Sequence, residues 1–520
     1  MIARVAVLIL ALCAAPALCA DLSIGLGASV TSLDPHAINL TPNNNIAEQI
    51  FDPLVRRDAR LRPVPGLAES WRMIDELTWE FRLRPGVKFH DGSALTAADV
   101  LFSLDRPAWL ASVKADAGVR TYVQAITEKI VVDPYTIRLK TAAPYPFLPH
   151  DLMGVMIVSR TAAKGKHGAD FDDPVVAQGT GPLRLKRFTR GDRIVFERND
   201  AYWGVKSPWH KVTFRLLTND GSRLATLLSG AVDMIENVPT GDYASLKKNK
   251  RIDVFTATSN RMVHLQLDSN RDRSPFVTDR AGKPLDRNPL KDARVRRAIS
   301  MAINRDAIAS RLMDGLAKPA GQMMPDGFVA ASPNLKPERY DPEGAKKLLA
   351  ESGYPDGFGL SLHAPNDRLV KGDQVVQAIA QMLARVGINV TVVSTPYATY
   401  IEHAKKLEVS AVLQSWSAIN EATIPLRFVA ITFNGSKGLG AFNFGRYSNP
   451  GADALFEQAL KTMDGTRRER LLQEATEIVI KDYGIIPLHF QVNTWAARKP
   501  IEYPGRSDER TYAHEVRARQ

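Results

Sequence analysis

The segment GLAESWRMIDELTWEFRLRPGVKFHDGSALTAADVLFSL, residues 66–104 of this 520-residue chain, carries its most specific structural pattern. Trp79 and Phe81 alternate with charged residues, and this period of two predicts a half-buried β-strand. A Pro-Gly pair ends the strand, and an Asp-Gly pair then turns the chain. Thr96 stands three residues before Asp99, the spacing of a capping box, which predicts that a helix starts there.

Other local patterns predict single elements further along the chain. The order strand, helix, strand over residues 359–392 predicts a parallel crossover. Apolar residues at helical spacing, among them Val295 and Ile299, predict one long helix over residues 289–308. Gly230 follows an apolar run and predicts the end of another helix.

Further motifs lie on both sides of the opening segment: FDPLV at 51–55, GTGP at 179–182, NDAYWG at 199–204 and YSNPGAD at 447–453. Together with LAESW, RPGVKFHDG and LTAADV in the opening segment, they resemble the family 5 extracellular solute-binding proteins. That family is the peptide, opine and nickel class of ABC importer receptors. The resemblance covers nearly the whole chain after residue 20, and one departure is Leu183, where the family usually has tyrosine.

The resemblance implies an α/β fold of the periplasmic-binding-protein-like type II class, in its three-lobed variant. The ligand cleft is then expected between lobes I and III, and the chain is expected to cross the hinge near Asp268 and Asp482. The expected ranges are 1–20 for a signal peptide, 21–55, 179–268 and 484–520 for lobe I, 56–178 for an inserted scaffold lobe II, and 269–483 for lobe III.

The first twenty residues have the pattern of a cleavable secretory signal. Their apolar run, residues 5–12, is too short to span a bilayer. Cleavage is expected after Ala20, with Ala17 as the alternative. Cys13 and Cys19 are the two cysteines of the chain, and neither follows the small residue that a lipoprotein site needs. We therefore expect a periplasmic protein that is not lipid-anchored and whose mature form has no disulfide.

The formal charge of +12 does not predict a nucleic-acid partner. The 68 Lys and Arg residues are scattered among 56 acidic residues, and the densest basic clusters, residues 247–251 and 294–297, are short. Such clusters are typical of a solvated surface. We expect a monomer without a nucleic-acid partner, and an anionic ligand has only weak support from charge.

No catalytic or metal-binding motif stands out in the sequence. The ten histidines include no pair at a spacing of three or four residues, as a helical zinc site would need. The glycine-rich run GSKGLG at 435–440 lacks the final Lys-Ser/Thr of a phosphate-binding loop, so ATP hydrolysis is expected on another chain. The sequence therefore predicts no cofactor, no metal and no enzymatic activity. A secreted hydrolase and a periplasmic chaperone or chemoreceptor partner stay as alternatives from other classes.

A binding protein needs a cleft with apolar walls and a few placed polar groups. By resemblance, Arg368 in the loop after a predicted strand is a candidate for the ligand carboxylate, a role that suits a guanidinium. Trp416 is a candidate for the cleft wall. Peptide receptors of the family often have an aspartate about three residues later, which holds the ligand's amine. Here Ile419 and Asn420 occupy that region and Glu421 is the nearest acid, and this departure argues against a dipeptide held by its N-terminus.

The resemblance aligns other residues with cleft-facing regions, and Asn420 joins them as a ligand-binding candidate. They are Thr31, Ser32, Met262, His264, Phe442, Asn443 and Gln491. For each one, a role in loop or core structure is the competing interpretation.

The predicted function is that of a periplasmic substrate-binding protein of an ABC importer. It would capture a short peptide or peptide-like solute by hinge closure and deliver it to an inner-membrane permease with a separate ATPase. Within the family, the alternative ligand is an opine, a sugar-phosphate conjugate or another small non-peptide solute. The nickel subtype fits less well, because after the run YPFL at 145–148 no arginine occurs before Arg160.

Overall fold

The computed structural model describes residues 21–417 and 423–519. The predicted signal peptide and the candidate Asn420 lie outside these residues. None of the helices described in these two ranges is long and apolar enough to cross a membrane. Mixed helices and strands confirm the predicted α/β class.

The strands β1 to β20 of the described ranges form one large sheet and three smaller ones. In chain order their bounds are Leu22–Leu26, Val55–Arg57, Pro63–Pro65, Ala68–Asp75, Thr78–Leu83, Ile126–Asp133, Thr136–Thr141, Leu183–Thr189, Arg193–Arg198, Lys211–Leu216, Met234–Glu236, Ile252–Leu267, Val277–Thr278, Ala317–Pro319, Phe358–Pro365, Ile388–Thr395, Ala411–Ser417, Ile486–Arg498, Ile501–Glu502 and Arg517–Ala518. The 12-stranded sheet has the order β13-β15-β17-β12-β18-β11-β1-β10-β9-β8, with β14 paired to β18 and β16 paired to β15.

The α-helices α1 to α14 of the same ranges lie between these strands. Their bounds are Thr41–Ile50, Ala97–Ser112, Leu148–Asp151, Arg160–Ala163, Asp220–Ser229, Tyr243–Lys248, Ala293–Met301, Arg305–Ala307, Pro342–Glu351, Gly372–Ala384, Tyr397–Lys405, Thr423–Pro425, Pro450–Lys461 and Gly465–Lys481. Helix α12 continues directly into a π-helical turn, Leu426–Ala430.

Two long antiparallel strands, β12 and β18, join the two halves of the large sheet. Near one end, Phe255 pairs with Trp495, and near the other, Leu265 pairs with Ile486. The register of the pair shifts between Thr258 and Met262 and again between Val263 and His264. Such irregularities bend a strand and increase its local twist. The β12/β18 ladder is therefore irregular at these two points, and the predicted lobe boundaries and the hinge crossings near Asp268 and Asp482 stay a prediction.

The opening segment folds as its pattern predicts. Trp79 and Phe81 lie in β5, which belongs to the four-stranded sheet β4-β5-β7-β6. Helix α2 begins directly after Thr96, whose backbone N–H donates to the Asp99 carboxylate at 3.1 Å. Phe81 and residues of α2 such as Val100 are fully buried in one hydrophobic core. This core belongs to the range predicted as lobe II.

The predicted parallel crossover is also confirmed. Strands β15 and β16 pair in parallel, with Leu360 opposite Val390, and α10 connects them. The helix end at Gly230 is confirmed as well: α5 stops at Ser229 and Gly230 has a φ of +83°, a left-handed conformation that glycine adopts without steric cost.

The single helix predicted for residues 289–308 is wrong. The structure divides the range into a 3₁₀ turn, Pro289–Lys291, the helix α7 and the short helix α8. The reason is local capping. The side chain of Asn304 accepts a hydrogen bond from the Ala307 N–H at 2.8 Å and thereby starts a new helix.

Candidate functional site

A cleft of about 990 Å³ lies beside the β12/β18 strand pair. Its walls come from four separate parts of the chain, within residues 35–61, 116–156, 260–261 and 365–442, together with residues 508 and 510 near the C-terminus. Clefts of this size, with mixed apolar and polar walls, are typical of small-molecule and peptide sites. The range predicted as a scaffold lobe also contributes, through residues such as Tyr122 and Asp151.

Three aromatic side chains, Trp416, Phe428 and Phe442, form what we call the aromatic wall of the cleft. The Trp416 ring lies 4.9 Å from that of Phe442 and is stacked at 5.6 Å on that of Phe428. The backbone N–H of Phe442 donates to the Phe428 carbonyl at 2.8 Å, which holds their two segments together. This wall can pack against apolar parts of a solute.

Across the cleft, Glu48, Arg57, Asp508 and Arg510 form what we call the ionic wall. Glu48 is buried and accepts hydrogen bonds from Arg57, from Arg510 and from the Tyr512 hydroxyl. Burial alone would raise the pKa of Glu48, but Arg57 and Arg510 hold it below its ordinary value. Two guanidinium groups thus face two carboxylates, and the ionic wall is close to neutral.

Arg368 has a different environment, because its guanidinium is exposed to the cleft. It lies in the loop after β15, with its Cζ atom 4.3 Å from the centre of the Tyr397 ring. Within the described ranges Arg368 forms no ion pair. A cation stacked on an aromatic ring and lacking a carboxylate partner is suited to an incoming carboxylate.

Asp151, the last residue of α3, lines the cleft with only 7% of its surface exposed. Its carboxylate accepts a hydrogen bond from the Tyr145 hydroxyl at 2.6 Å. Burial raises the pKa of Asp151 to about 7, although Tyr145 and Arg427 act in the opposite direction. Near neutral pH the neutral and the charged forms of this carboxyl group are therefore both populated.

Of the predicted ligand-binding residues, Arg368, Trp416 and Phe442 line the cleft together. The structure places the other described candidates elsewhere. Met262 and His264 are fully buried on β12, where burial lowers the pKa of His264 to about 4. Two more candidates, Thr31 and Ser32, bond within their own part of the chain. The Asp34 N–H donates to the Ser32 hydroxyl, and the Thr31 N–H donates to the Asn43 side chain.

Asn443 and Gln491 also lie outside the cleft lining. Asn443 is buried and donates hydrogen bonds to the carbonyl groups of Ile431 and Tyr447. Gln491 is buried on β18, opposite Ala317. A role in ligand binding for these residues, and for Thr31, Ser32, Met262 and His264, stays a prediction.

Sequence reasoning missed most of the residues that line the cleft. Those that offer charge, hydrogen bonds or ring surface include Tyr122, Asp151, Arg261, Tyr397, Arg427, Phe428 and Arg510. No local pattern distinguishes them. Arg510, for example, belongs to a C-terminal tail that reads only as polar, yet it binds Glu48, 462 positions away in the chain.

The chain matches proteins of one family in sequence and in structure. The family model described as bacterial extracellular solute-binding proteins, family 5 Middle, matches residues 62–428. The glutathione-binding protein GsiB of Salmonella paratyphi A is 30% identical over 486 residues, which cover 91% of this chain and 90% of that protein. GsiB of Pectobacterium atrosepticum is 29% identical over 473 residues, 89% of this chain and 87% of that protein.

Solved structures share the fold at lower identity. HbpA2 from Haemophilus parasuis matches with a TM-score of 0.82 and 23% identity, over 96% of this chain and 100% of that one. The periplasmic binding protein DppA from Helicobacter pylori, in complex with the peptide STSA, matches with a TM-score of 0.75 and 23% identity, over 95% and 97% of the two chains. The predicted periplasmic-binding-protein-like fold is thereby confirmed. On the family model and these sequence relatives, the chain belongs to the family 5 bacterial extracellular solute-binding proteins.

Proposed function

We propose that this solute-binding protein captures a short peptide or peptide-like solute for an ABC importer. The observation that carries the proposal is the pairing, in one cleft, of an aromatic wall with an exposed guanidinium, that of Arg368, which lacks a carboxylate partner among the described residues. A peptide offers the matching groups, namely apolar side chains and a terminal carboxylate.

The names of relatives support this ligand class. The Salmonella and Pectobacterium relatives are named as glutathione-binding proteins, and glutathione is a small peptide. The Helicobacter neighbour was solved with a bound peptide. An opine, a sugar-phosphate conjugate or another small anion would use Arg368 but would gain less from the aromatic wall.

The proposed mechanism is closure of the cleft by bending at the β12/β18 strand pair. The register shifts around Met262 interrupt the ladder there, so this short region can change its backbone angles while the sheet halves on either side stay intact. The solute touches both halves only in the closed form. Closure is therefore stabilised by no more than the difference between the affinities of the closed and open forms.

The closed protein would deliver its solute to an inner-membrane permease whose ATPase is a separate chain. The proposal includes a periplasmic location after removal of residues 1–20, a monomeric state, no nucleic-acid partner and no catalytic turnover. The predicted lobe ranges, 21–55, 179–268 and 484–520 for lobe I, 56–178 for lobe II and 269–483 for lobe III, are retained as part of the proposal.

Native mass spectrometry of the purified protein tests the ligand class directly, because a co-purified solute adds its own mass to that of the protein. Isothermal titration calorimetry with di-, tri- and tetrapeptides then measures affinity, and small-angle scattering measures closure. We expect saturable binding of some short peptides, with a smaller radius of gyration in the bound form. Saturable binding of a non-peptide solute alone would refute the peptide assignment, and release of cleaved peptide would indicate a hydrolase instead.

A further inference from the structure

One corner of the cleft holds an irregular helix. Arg427 and Phe428 lie on the π-helical turn Leu426–Ala430 and line the cleft next to Trp416. The π-turn is rare in proteins and is frequently found at functional sites. It follows α12 directly and replaces the α-helical hydrogen-bond spacing at the two residues whose side chains line the cleft.

Two hydrogen-bond donors in this corner have no acceptor among the described residues. The Nε1 atom of Trp416 and the Nε atom of Arg427 are both buried, and neither donates to any group of the described chain. Buried donors without an acceptor are uncommon and cost free energy, so a solute that offers an acceptor to either donor would relieve that cost. Both donors belong to side chains that line the same cleft.

A single ring positions both groups. The Cζ atom of Arg427 lies 5.4 Å from the centre of the Phe428 ring, and the Trp416 ring is stacked on that ring at 5.6 Å with an interplanar angle of 29°. The two donors are therefore held beside one ring before any solute arrives. Donors fixed in this way lose little conformational entropy on binding.

The guanidinium of Arg427 interacts with the Tyr145 hydroxyl and with the Asp151 carboxyl group. Arg427 forms no ion pair with any residue in the described ranges. Asp151 already accepts a hydrogen bond from the Tyr145 hydroxyl, and burial raises the pKa of Asp151 to about 7. The corner is therefore positive on balance and offers a charged donor beside a neutral one.

We infer that Arg427 and Trp416 form an anion subsite that binds a carboxylate of the solute. This inference rests on the proposed function. Because Arg368 is free to bind a different carboxylate, the preferred substrates are short peptides with two carboxylates, one at the C-terminus and one on an acidic residue. Neutral peptides can fill only one of the two positions.

Calorimetry with matched tripeptides tests the subsite. Each pair differs only in a glutamate or glutamine, as in Glu-Ala-Gly against Gln-Ala-Gly, with the acid placed at each of the three positions in turn. We expect at least one acidic peptide to bind the wild-type protein about 10-fold to 100-fold more tightly than its amide, the range for a charged hydrogen bond. This comparison uses the wild-type protein and does not depend on how a variant folds.

Variants then assign the preference to the corner. Arg427→Gln should make the two peptides of that pair bind equally, and it should do so by weakening the acidic peptide. Trp416→Phe keeps a stacked ring but removes the donor, and should weaken the acidic peptide about 3-fold to 10-fold. The matched control is Arg446→Gln: that guanidinium also stacks on a phenylalanine, Phe433 at 4.0 Å, but it does not line the cleft, and the preference should persist.

The outcomes separate the subsite from the proposed function. Wild-type protein that binds the peptides but treats every acid and amide pair alike refutes the subsite and leaves the proposed function standing. A preference that survives in Arg427→Gln also refutes the subsite. Wild-type protein that binds none of the peptides refutes the peptide assignment and the subsite together.

Discussion

Replacing Asp151 by asparagine is expected to stabilise the protein, by an amount that grows as the pH rises from 3.8 to about 7. In the unfolded chain this carboxyl group ionises near its ordinary pKa, whereas burial keeps it protonated to a higher pH in the folded protein. Between the two values the folded state holds more protons than the unfolded state. The free energy of unfolding of the wild type therefore falls as the pH rises through this window.

The magnitude follows from the size of the change in pKa. A rise from 3.8 to about 7, at about 1.4 kcal/mol for each pKa unit, corresponds to about 4 kcal/mol when the window has been crossed. Asparagine has no proton to lose, and its side-chain oxygen can still accept the hydrogen bond that the Tyr145 hydroxyl donates. The variant should therefore match the wild type near pH 4 and exceed it by up to about 4 kcal/mol at pH 8.

Urea unfolding followed by tryptophan fluorescence, at four pH values from 4 to 8, measures this difference. The control is Asp116→Asn, which also removes a carboxyl group from the cleft lining but at an exposed position. It measures what the removal of a carboxyl group from the cleft lining does by itself. If the difference in unfolding free energy between Asp151→Asn and the wild type stays constant from pH 4 to pH 8, the claim that the folded protein keeps Asp151 protonated is refuted.

Three further changes test other parts of the molecule. Arg368→Gln should weaken peptide binding about 10-fold or more without altering the thermal midpoint of unfolding, as measured by calorimetry and thermal melts; unchanged affinity would remove Arg368 from the site. Arg106 donates two hydrogen bonds of 2.7 Å to the fully buried carboxylate of Asp34. Arg106→Leu removes this partner and should lower the free energy of unfolding by about 3–5 kcal/mol. A urea titration that shows a loss of less than about 1 kcal/mol would contradict this. Burial lowers the pKa of His489 to about 4, so the unfolded state takes up its proton first and stability is lost as the pH falls from 6.5 towards that value; His489→Leu should flatten that loss, and an acid titration with an unchanged slope would count against it.

The local elements and the family could be predicted from the sequence because their signals are short-range. The alternation around Phe81, the capping pair at Thr96 and the glycine at position 230 each act within a few residues, and each is found where predicted. The helix expected over residues 289–308 failed for the same reason, since a competing local cap at Asn304 outweighs the longer apolar pattern.

The site could be predicted only where a family motif reached it. Trp416 and Arg368 line the cleft, and their role in ligand binding stays a prediction, whereas the anion corner and the ionic wall had no signal in the sequence. Glu48 and Arg510 meet only because the C-terminal segment returns to α1, and this contact spans 462 positions. Periodicity reports whether a side chain faces a core or solvent, and not which distant side chain it meets.

By itself, therefore, the sequence determined several local elements, the family and the general α/β architecture of this protein. The tertiary structure alone decided which residues face the cleft, which guanidinium groups lack an acid partner within residues 21–417 and 423–519, and how deeply Asp151 is buried. The physical reason is that burial and charge pairing depend on long-range strand pairing, above all that of β12 with β18, which brings remote segments together around one cleft.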